Sequence, residues 1–174
     1  MGKGTVVRRL RTLRPDLVYS VSATTREPRP GEMDGVDYRF VTPQAFSQLV
    51  QRGAFLEWAE VFGRRYGTPL APVRQALEAG MDAILELDVQ GAASVRRAFP
   101  EAVLVFLMPP SDEELSRRLR GRRTEGRDAR GQRLATAKQE LRQASWFDHV
   151  VVNDEVDRAA DEVLAIIDGR HAPS

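Results

Sequence analysis

Apolar residues fall at helical spacing from Val6 to Leu13 and stop before Pro15, so a helix there follows directly on the turn Gly2-Lys3-Gly4-Thr5. Leu17 to Ser22 and Tyr38 to Val41 read as short strands, and Thr42-Pro43 supplies the N-cap and first turn of a helix ending at Gln51-Arg52-Gly53. Ala54 to Phe62 and Arg65 to Tyr66 read as strands around a turn at Gly63. Beyond Thr68-Pro69 a helix runs through Ala79, with Gly80 in the C′ position. Ala83 to Leu87 is an apolar strand ending in Asp88, and Gly91 opens a helix that breaks at Pro100. The continuous apolar run Val103 to Met108 predicts a strand buried on both faces. Pro109-Pro110 ends it, and Ser111 with Glu114 forms a capping box for the next helix. Gly121 to Gly131, arginine-rich and interrupted by glycine, is expected to be a mobile loop or lid. A long helix from Gln132 to about Phe147, a strand from His149 to Val152 and a helix from Asp154 to Ile167 complete the pattern. Strands alternating with helices imply an α/β fold with a parallel sheet.

Composition adds mainly exclusions. The 174 residues suit one domain with a real core. Lys and Arg total 26 against 25 acids, so the charge does not argue for nucleic acid. Only Lys3 and Lys138 are lysine, so each arginine carries less functional weight than it would in a more even composition. The absence of cysteine removes disulfides, thiolate metal sites and cysteine nucleophiles. No apolar run is long enough to span a bilayer, and the basic start is not followed by an apolar leader segment, so the protein is expected in the cytoplasm.

The candidate chemistry lies first in Ser22 to Tyr38, a polar loop carrying Arg26 and Arg29, stiffened by Pro28 and Pro30 and closed by a tyrosine. Guanidinium forks pair bidentately with phosphate oxygens, and prolines on either side of Arg29 reduce the entropy lost on closing around an anion. A second phosphate site is suggested by Gly2-Lys3-Gly4-Thr5, which places backbone N–H groups, a lysine and a hydroxyl at a helix N-terminus. Two phosphate sites in one small domain point to transfer between two phosphorylated molecules. His149 and His171 read as strand-end and tail residues, and Trp58, Trp146 and Phe147 as core.

Ser22, Thr24-Thr25-Arg26, Pro28-Arg29-Pro30-Gly31-Glu32, Gly35 and Tyr38 stand as they do in guanylate kinases, enzymes that phosphorylate GMP with ATP. Phe55-Leu56-Glu57-Trp58-Ala59, Tyr66-Gly67-Thr68, Leu87-Asp88-Val89-Gln90-Gly91 and Val152-Asn153-Asp154 continue the pattern in the same order. The chain resembles that family over residues 2–168, and several separated motifs at consistent spacing are far more specific than any one alone.

The resemblance implies a P-loop nucleoside monophosphate kinase-like parallel sheet flanked by helices, with an inserted GMP-binding subdomain and a helical lid. In this single domain, residues 1–21, 82–110 and 148–170 would form the core, about 22–81 the GMP subdomain and about 111–147 the lid. Arg26, Arg29, Tyr38 and Tyr66 would bind the acceptor phosphate. Glu57 would accept from guanine N1–H and the 2-amino group, which rejects adenine, whose N1 is itself an acceptor. Ser22 and Thr68 would donate to guanine O6. Asp88, at the carboxyl end of its strand, would serve on the guanine or magnesium side, whereas Glu86 is given no catalytic task. Gly2, Lys3, Gly4 and Thr5 would hold ATP phosphates, and Asn153 would lie near the ATP base. Lys3 and the lid arginines Arg118, Arg122 and Arg133 would neutralise charge on the transferring group. Arg117, Arg120, Arg123, Arg127 and Arg130 read as a solvated basic face. Mg²⁺ is expected through the nucleotide phosphates and water rather than in a protein cage. ATP and GMP are the partners implied, with no nucleic acid or membrane, and the oligomeric state stays open.

The departure from the family pattern is at the start, where the apolar strand and the glycine five residues ahead of Gly2 are not in the sequence given. A start codon assigned too late is preferred over a deliberate truncation or a shorter paralogue that has lost ATP binding. The chain as written is expected to be nearly inactive until extended. The rival from another class is a guanylate kinase-like module that binds phosphorylated peptides, disfavoured by Lys3, Arg26, Arg29, Glu57 and Asp88. Another nucleoside monophosphate kinase is disfavoured by Glu57 and the Thr25-Arg26 loop.

Overall fold

The computed structural model describes residues 2–120 and 135–170. The chain forms two compact units, Arg14–Ala102 and Met1–Leu13 with Val103–Ser174.

In the first unit, β1 (Val18–Tyr19) pairs in parallel with β6 (Ala83–Ile84). A four-stranded sheet is built from β2 (Ala23–Thr24), β3 (Arg39–Phe40), β4 (Phe55–Val61) and β5 (Arg64–Pro69), in the order β3-β2-β5-β4. Here β2 runs parallel to β3 and antiparallel to β5, and β4 with β5 makes a hairpin. Its tip, Phe62 (φ 51) and Gly63 (φ 69), has the paired positive φ that suits the right-handed twist of a hairpin.

Helix α2 (Pro43–Gln51) starts at Thr42, whose hydroxyl accepts from Ala45 N at 3.2 Å. It ends in a Schellman turn, with Gly53 N on Val50 O and Ala54 N on Leu49 O. Helix α3 (Leu70–Glu78) ends the same way through Gly80 and Met81. Both stops were legible because they rest on local backbone chemistry. Thr42→Ala should cost about 1 kcal/mol of stability, read by denaturant unfolding, because one N-terminal amide of α2 loses its acceptor. The unit's core includes Phe46, fully buried, stacked on Phe55 at 4.6 Å and edge-on to Trp58 at 6.3 Å. A Cβ on Gly67 would stand 2.9 Å from Phe55 Cδ1, so a side chain there would force the ring to shift. Helix α4 (Val89–Ala98) packs against β4.

In the second unit, α1 (Lys3–Leu13) turns Val6, Val7 and Leu10 inward and packs on α7 (Val156–Arg170), whose Ala159, Ala160 and Val163 are buried. β7 (Val105–Met108) pairs in parallel with β8 (His149–Val152) from Val105↔His149 to Met108↔Val152. Helix α5 (Asp112–Arg120) follows β7. Residues 135–141 are helical (α6), and a 3₁₀ turn over Ala144–Trp146 precedes β8.

Several sequence expectations change. The first helix begins at Lys3, because the Gly2 carbonyl already accepts from Thr5 N and Val6 N. The strands expected over Leu17–Ser22 and Ala83–Leu87 shrink to two paired residues each, and Ala23–Thr24 joins the other sheet. Helix α4 starts at Val89 rather than Gly91, since Asp88 is its N-cap. The Ser111 cap holds Glu114 N at 3.2 Å, but the Glu114 carboxylate turns to Arg117 and Arg118 instead of completing the box. In the segment expected as a doubly buried strand, only Leu104 and Phe106 are buried. The helix expected to reach Phe147 gives way to the 3₁₀ turn, and its start and the lid segment Gly121 to Gly131 lie outside the described residues. Trp58 and Trp146 are not core: they are 48% and 36% exposed.

Candidate active site

The arginine loop grows out of the end of β2. Thr24 Oγ1 accepts from Arg26 N (3.2 Å), while Thr25 exchanges two bonds with Arg65, Oγ1 accepting from Arg65 N and its own N donating to Arg65 O. The Thr25 hydroxyl and amide hold the chain to β5, and the Thr24 hydroxyl holds the turn into Arg26. The loop then turns at Gly31 (φ +85) and brings Glu32 back. Arg26 Nη1 and Nη2 donate to the two Glu32 carboxylate oxygens, each at 2.9 Å, and Nη1 also donates to Glu27 O. Glu32 accepts in addition from Arg29 N at 2.8 Å. The pair is well covered, with side chains 13% and 19% exposed.

Burial works against each charge here and is overcome. For Arg26 the Glu32 bonds prevail and raise the guanidinium above its usual range. For Glu32 the Arg26 bonds and the Arg29 amide prevail and hold the carboxyl below its own. The guanidinium carbon lies 5.3 Å from the Tyr38 ring centre, and Tyr66 stands edge-on to Tyr38 at 6.0 Å. Burial, then Glu86 and Tyr66, pushes the Tyr38 hydroxyl up to about 12, so it stays protonated as a donor at neutral pH.

The second half of this unit's site depends on register. The β4–β5 ladder slips by one residue between Phe55 and Glu57, a bulge that sets Glu57 opposite Thr68. The Thr68 hydroxyl, 1% exposed as a residue, donates to Glu57 Oε1 at 2.6 Å. Burial raises the Glu57 pKa; Thr68 opposes the rise and the nearby Asp88 charge adds to it. Asp88 Oδ1 is committed to Gly91 N at 2.7 Å as the α4 cap. Ser22 is buried, and its carbonyl accepts from Arg39 N.

In the other unit, Gly2 (φ +80) precedes α1 and its Cα faces Asn153: a Cβ there would stand 2.7 Å from Asn153 Nδ2 and 3.6 Å from Arg118 Nη1. Arg118 donates to Glu114 (2.6 Å) and to Asn153 O (3.0 Å). The bonds of Arg117, and then those of Arg118, pull the Glu114 pKa down to about 2. The first turn of α1 carries Lys3 and no acid. A cation at the positive end of a helix is unfavourable by itself, and a bound anion relieves it.

A family model described as Guanylate kinase matches residues 2–170. The guanylate kinase of Mycobacterium sp. (strain MCS) is 56% identical over 171 residues, covering 97% of this chain and 86% of the relative. That of Rhodococcus jostii (strain RHA1) is 51% identical over 98% of this chain and 83% of the relative. The crystal structure of guanylate kinase from Anaplasma phagocytophilum superposes with a TM-score of 0.83 at 35% identity, covering 99% of this chain and 84% of that one. The chain belongs to the guanylate kinase family.

Of the guanylate kinase positions named from sequence, Tyr38 and Tyr66 stand by the Arg26 guanidinium, and Arg29 joins them through its amide on Glu32. Glu57, Thr68 and Asp88 gather at the first turn of α4, while Gly2, Arg118 and Asn153 meet in the other unit. Arg122 and Arg133 lie outside the described residues. Thr68 points its proton at Glu57, so in this structure it holds the carboxylate in place. Arg117 is largely solvated, as expected of a basic surface face. Sequence reasoning gave no role to Glu32, to the Thr24 and Thr25 hydroxyls or to Gly91. An acid inside an arginine loop was the one available signal for Glu32.

Proposed function

We infer that the chain transfers the γ-phosphoryl group of ATP to GMP, giving ADP and GDP, with residues 22–81 as the acceptor subdomain of one kinase domain. The observation that carries this is the half-buried Glu57 carboxylate, held by Thr68 and kept from ordinary solvation. Such a group gains most from a ligand edge with two adjacent N–H donors, as guanine has at N1 and its 2-amino group. Ser22 would reach guanine O6, with Thr68 supporting Glu57, and Asp88 would complete the base side. Arg26, Arg29, Tyr38 and Tyr66 would take the acceptor phosphate by charge-assisted bonds. In the other unit Gly2, Lys3, Gly4 and Thr5 would engage ATP phosphates, Asn153 would lie by the ATP base, and Arg118 with Arg122 and Arg133 would face the transferring group. These side chains orient both nucleotides and stabilise developing charge, with no covalent intermediate.

Among the described residues no three His, Asp or Glu side chains gather to hold a metal, so Mg²⁺ in this reading comes bound to ATP, with the Thr5 hydroxyl as a hard oxygen donor. When bound it would neutralise phosphate charge. Among those residues no helix is long and apolar enough to cross a membrane, and a cytoplasmic location is proposed on the family reading. Equilibrium dialysis with GMP, IMP and AMP, followed by an ADP-release assay with ATP, tests the whole. Selective GMP binding is expected, with whatever ADP release occurs depending on GMP, and equal use of AMP would refute it.

A further inference from the structure

We propose that Gly91 is a specificity-determining position of the acceptor site: having no side chain, it leaves the space in which the Glu57 carboxylate stands against the first turn of α4. This rests on the reading of Glu57 as the guanine acceptor. A Cβ on Gly91 would lie 3.0 Å from Glu57 Oε2, 3.2 Å from Glu57 Cδ and 3.3 Å from Asp88 Oδ1. Those separations are closer than Cβ atoms ordinarily approach their neighbours, so some atom has to give by a few tenths of an ångström.

Neither neighbour gives readily. Glu57 is anchored on its far side by the Thr68 hydroxyl at 2.6 Å, and β4 is locked to β5 on both sides of the bulge. Asp88 Oδ1 is held by Gly91 N at 2.7 Å as the cap of the helix. The crowding therefore falls on the carboxylate oxygen that Thr68 does not hold.

Nothing in the backbone calls for glycine. Gly91 is not among the positive-φ glycines, and it sits in the first turn of a regular helix, where alanine is intrinsically favoured. Local stability thus favours a side chain at this position, and what argues against one is the space Glu57 occupies. The same first turn receives both carboxylates, and its N–H groups and dipole offset part of their mutual repulsion. Burial and Asp88 already act against Glu57 ionisation, so a carboxylate pushed off this turn would lose support as well as position.

The consequence is a loss in recognition rather than folding. Gly91→Ala should bind GMP roughly tenfold more weakly, a displaced but intact charge-assisted contact. Its preference for GMP over IMP, which lacks the 2-amino group, should narrow. The test is a double-mutant cycle on the full chain: GMP and IMP dissociation constants and melting temperatures for the parent, Gly91→Ala, Glu57→Ala and the double variant. Gly91→Ala should cost GMP affinity beside Glu57 and nothing further in the Glu57→Ala background, where the crowded atoms are gone. If Gly91→Ala lowers the melting temperature, the double variant should restore it. An equal loss in both backgrounds, unchanged GMP affinity with Glu57 present, or a melting defect that Glu57→Ala does not relieve would each overturn the proposal. Unchanged GMP affinity in Glu57→Ala alone would instead overturn the base-reading role of Glu57, which keeps the two failures apart.

Discussion

Arg26→Ala is expected to weaken GMP binding by roughly a hundredfold, about 2 to 3 kcal/mol, while leaving guanosine binding close to that of the parent chain. Arg26 is the most constrained cation of the acceptor loop. Glu32 takes hydrogens from both Nη atoms and Glu27 O takes another from Nη1, and none of these bonds engages Nε. The fork is thus immobilised at its end, with Tyr66 as a further partner, and the entropy of ordering the side chain is already spent in the ligand-free protein.

The same substitution leaves the Glu32 carboxylate, 19% exposed, with the Arg29 amide alone. That gives a second signature. Since Arg26 holds the Glu32 pKa low, the stability of the pair is present above the ordinary glutamate range and is lost as pH falls through the lowered pKa. Parent and variant should therefore differ in stability at neutral pH and converge on acidification. Calorimetric titrations with GMP and with guanosine, beside denaturant melts across that range, check both effects. Equal losses for the two ligands would mean that Arg26 acts on the fold and not on the phosphate.

Glu57→Gln is expected to lower GMP affinity by roughly tenfold to a hundredfold, about 1.5 to 3 kcal/mol, with the melting temperature unchanged or raised. An amide has one acceptor oxygen, carries no charge, and presents a donor where guanine also presents donors. It is released, however, from the two effects that penalise the parent carboxylate, burial first and the Asp88 charge second. Because those effects raise the folded-state pKa, the ligand-free parent should lose stability as pH rises from the ordinary glutamate value through the raised one. GMP binding uses the ionised form, so its affinity should increase over that same interval. The glutamine variant should lack both of these Glu57 contributions. Measuring the GMP dissociation constant and the unfolding midpoint against pH in the two proteins tests this, and a parent affinity that does not respond to pH would remove Glu57 from base recognition.

Family and chemistry were legible because they rest on residue types in local runs. Arg26 and Arg29 among prolines, Gly2-Lys3-Gly4-Thr5 at a helix N-terminus, the Thr42-Pro43 start and the Gly53 and Gly80 stops all act within a few residues of themselves. The β8 strand His149–Val152 was legible for the same reason. Strand lengths were not: Ala83 to Leu87 is apolar except for Glu86, yet only Ala83–Ile84 pair with β1, since pairing ends where the partner ends.

What the sequence by itself determined is the set of chemical groups and the family they belong to, because hydrogen-bonding capacity, charge and backbone preference are carried by each residue. Which groups meet was decided only by tertiary structure. Glu32 reaches Arg26 across a turn at Gly31, Thr68 reaches Glu57 through a one-residue slip in the β4–β5 register, and Gly91 matters through a side chain on another element. A slip of one residue changes which side chains stand opposite one another, and a missing Cβ has meaning only against its neighbour, so no local pattern in the chain could have announced either.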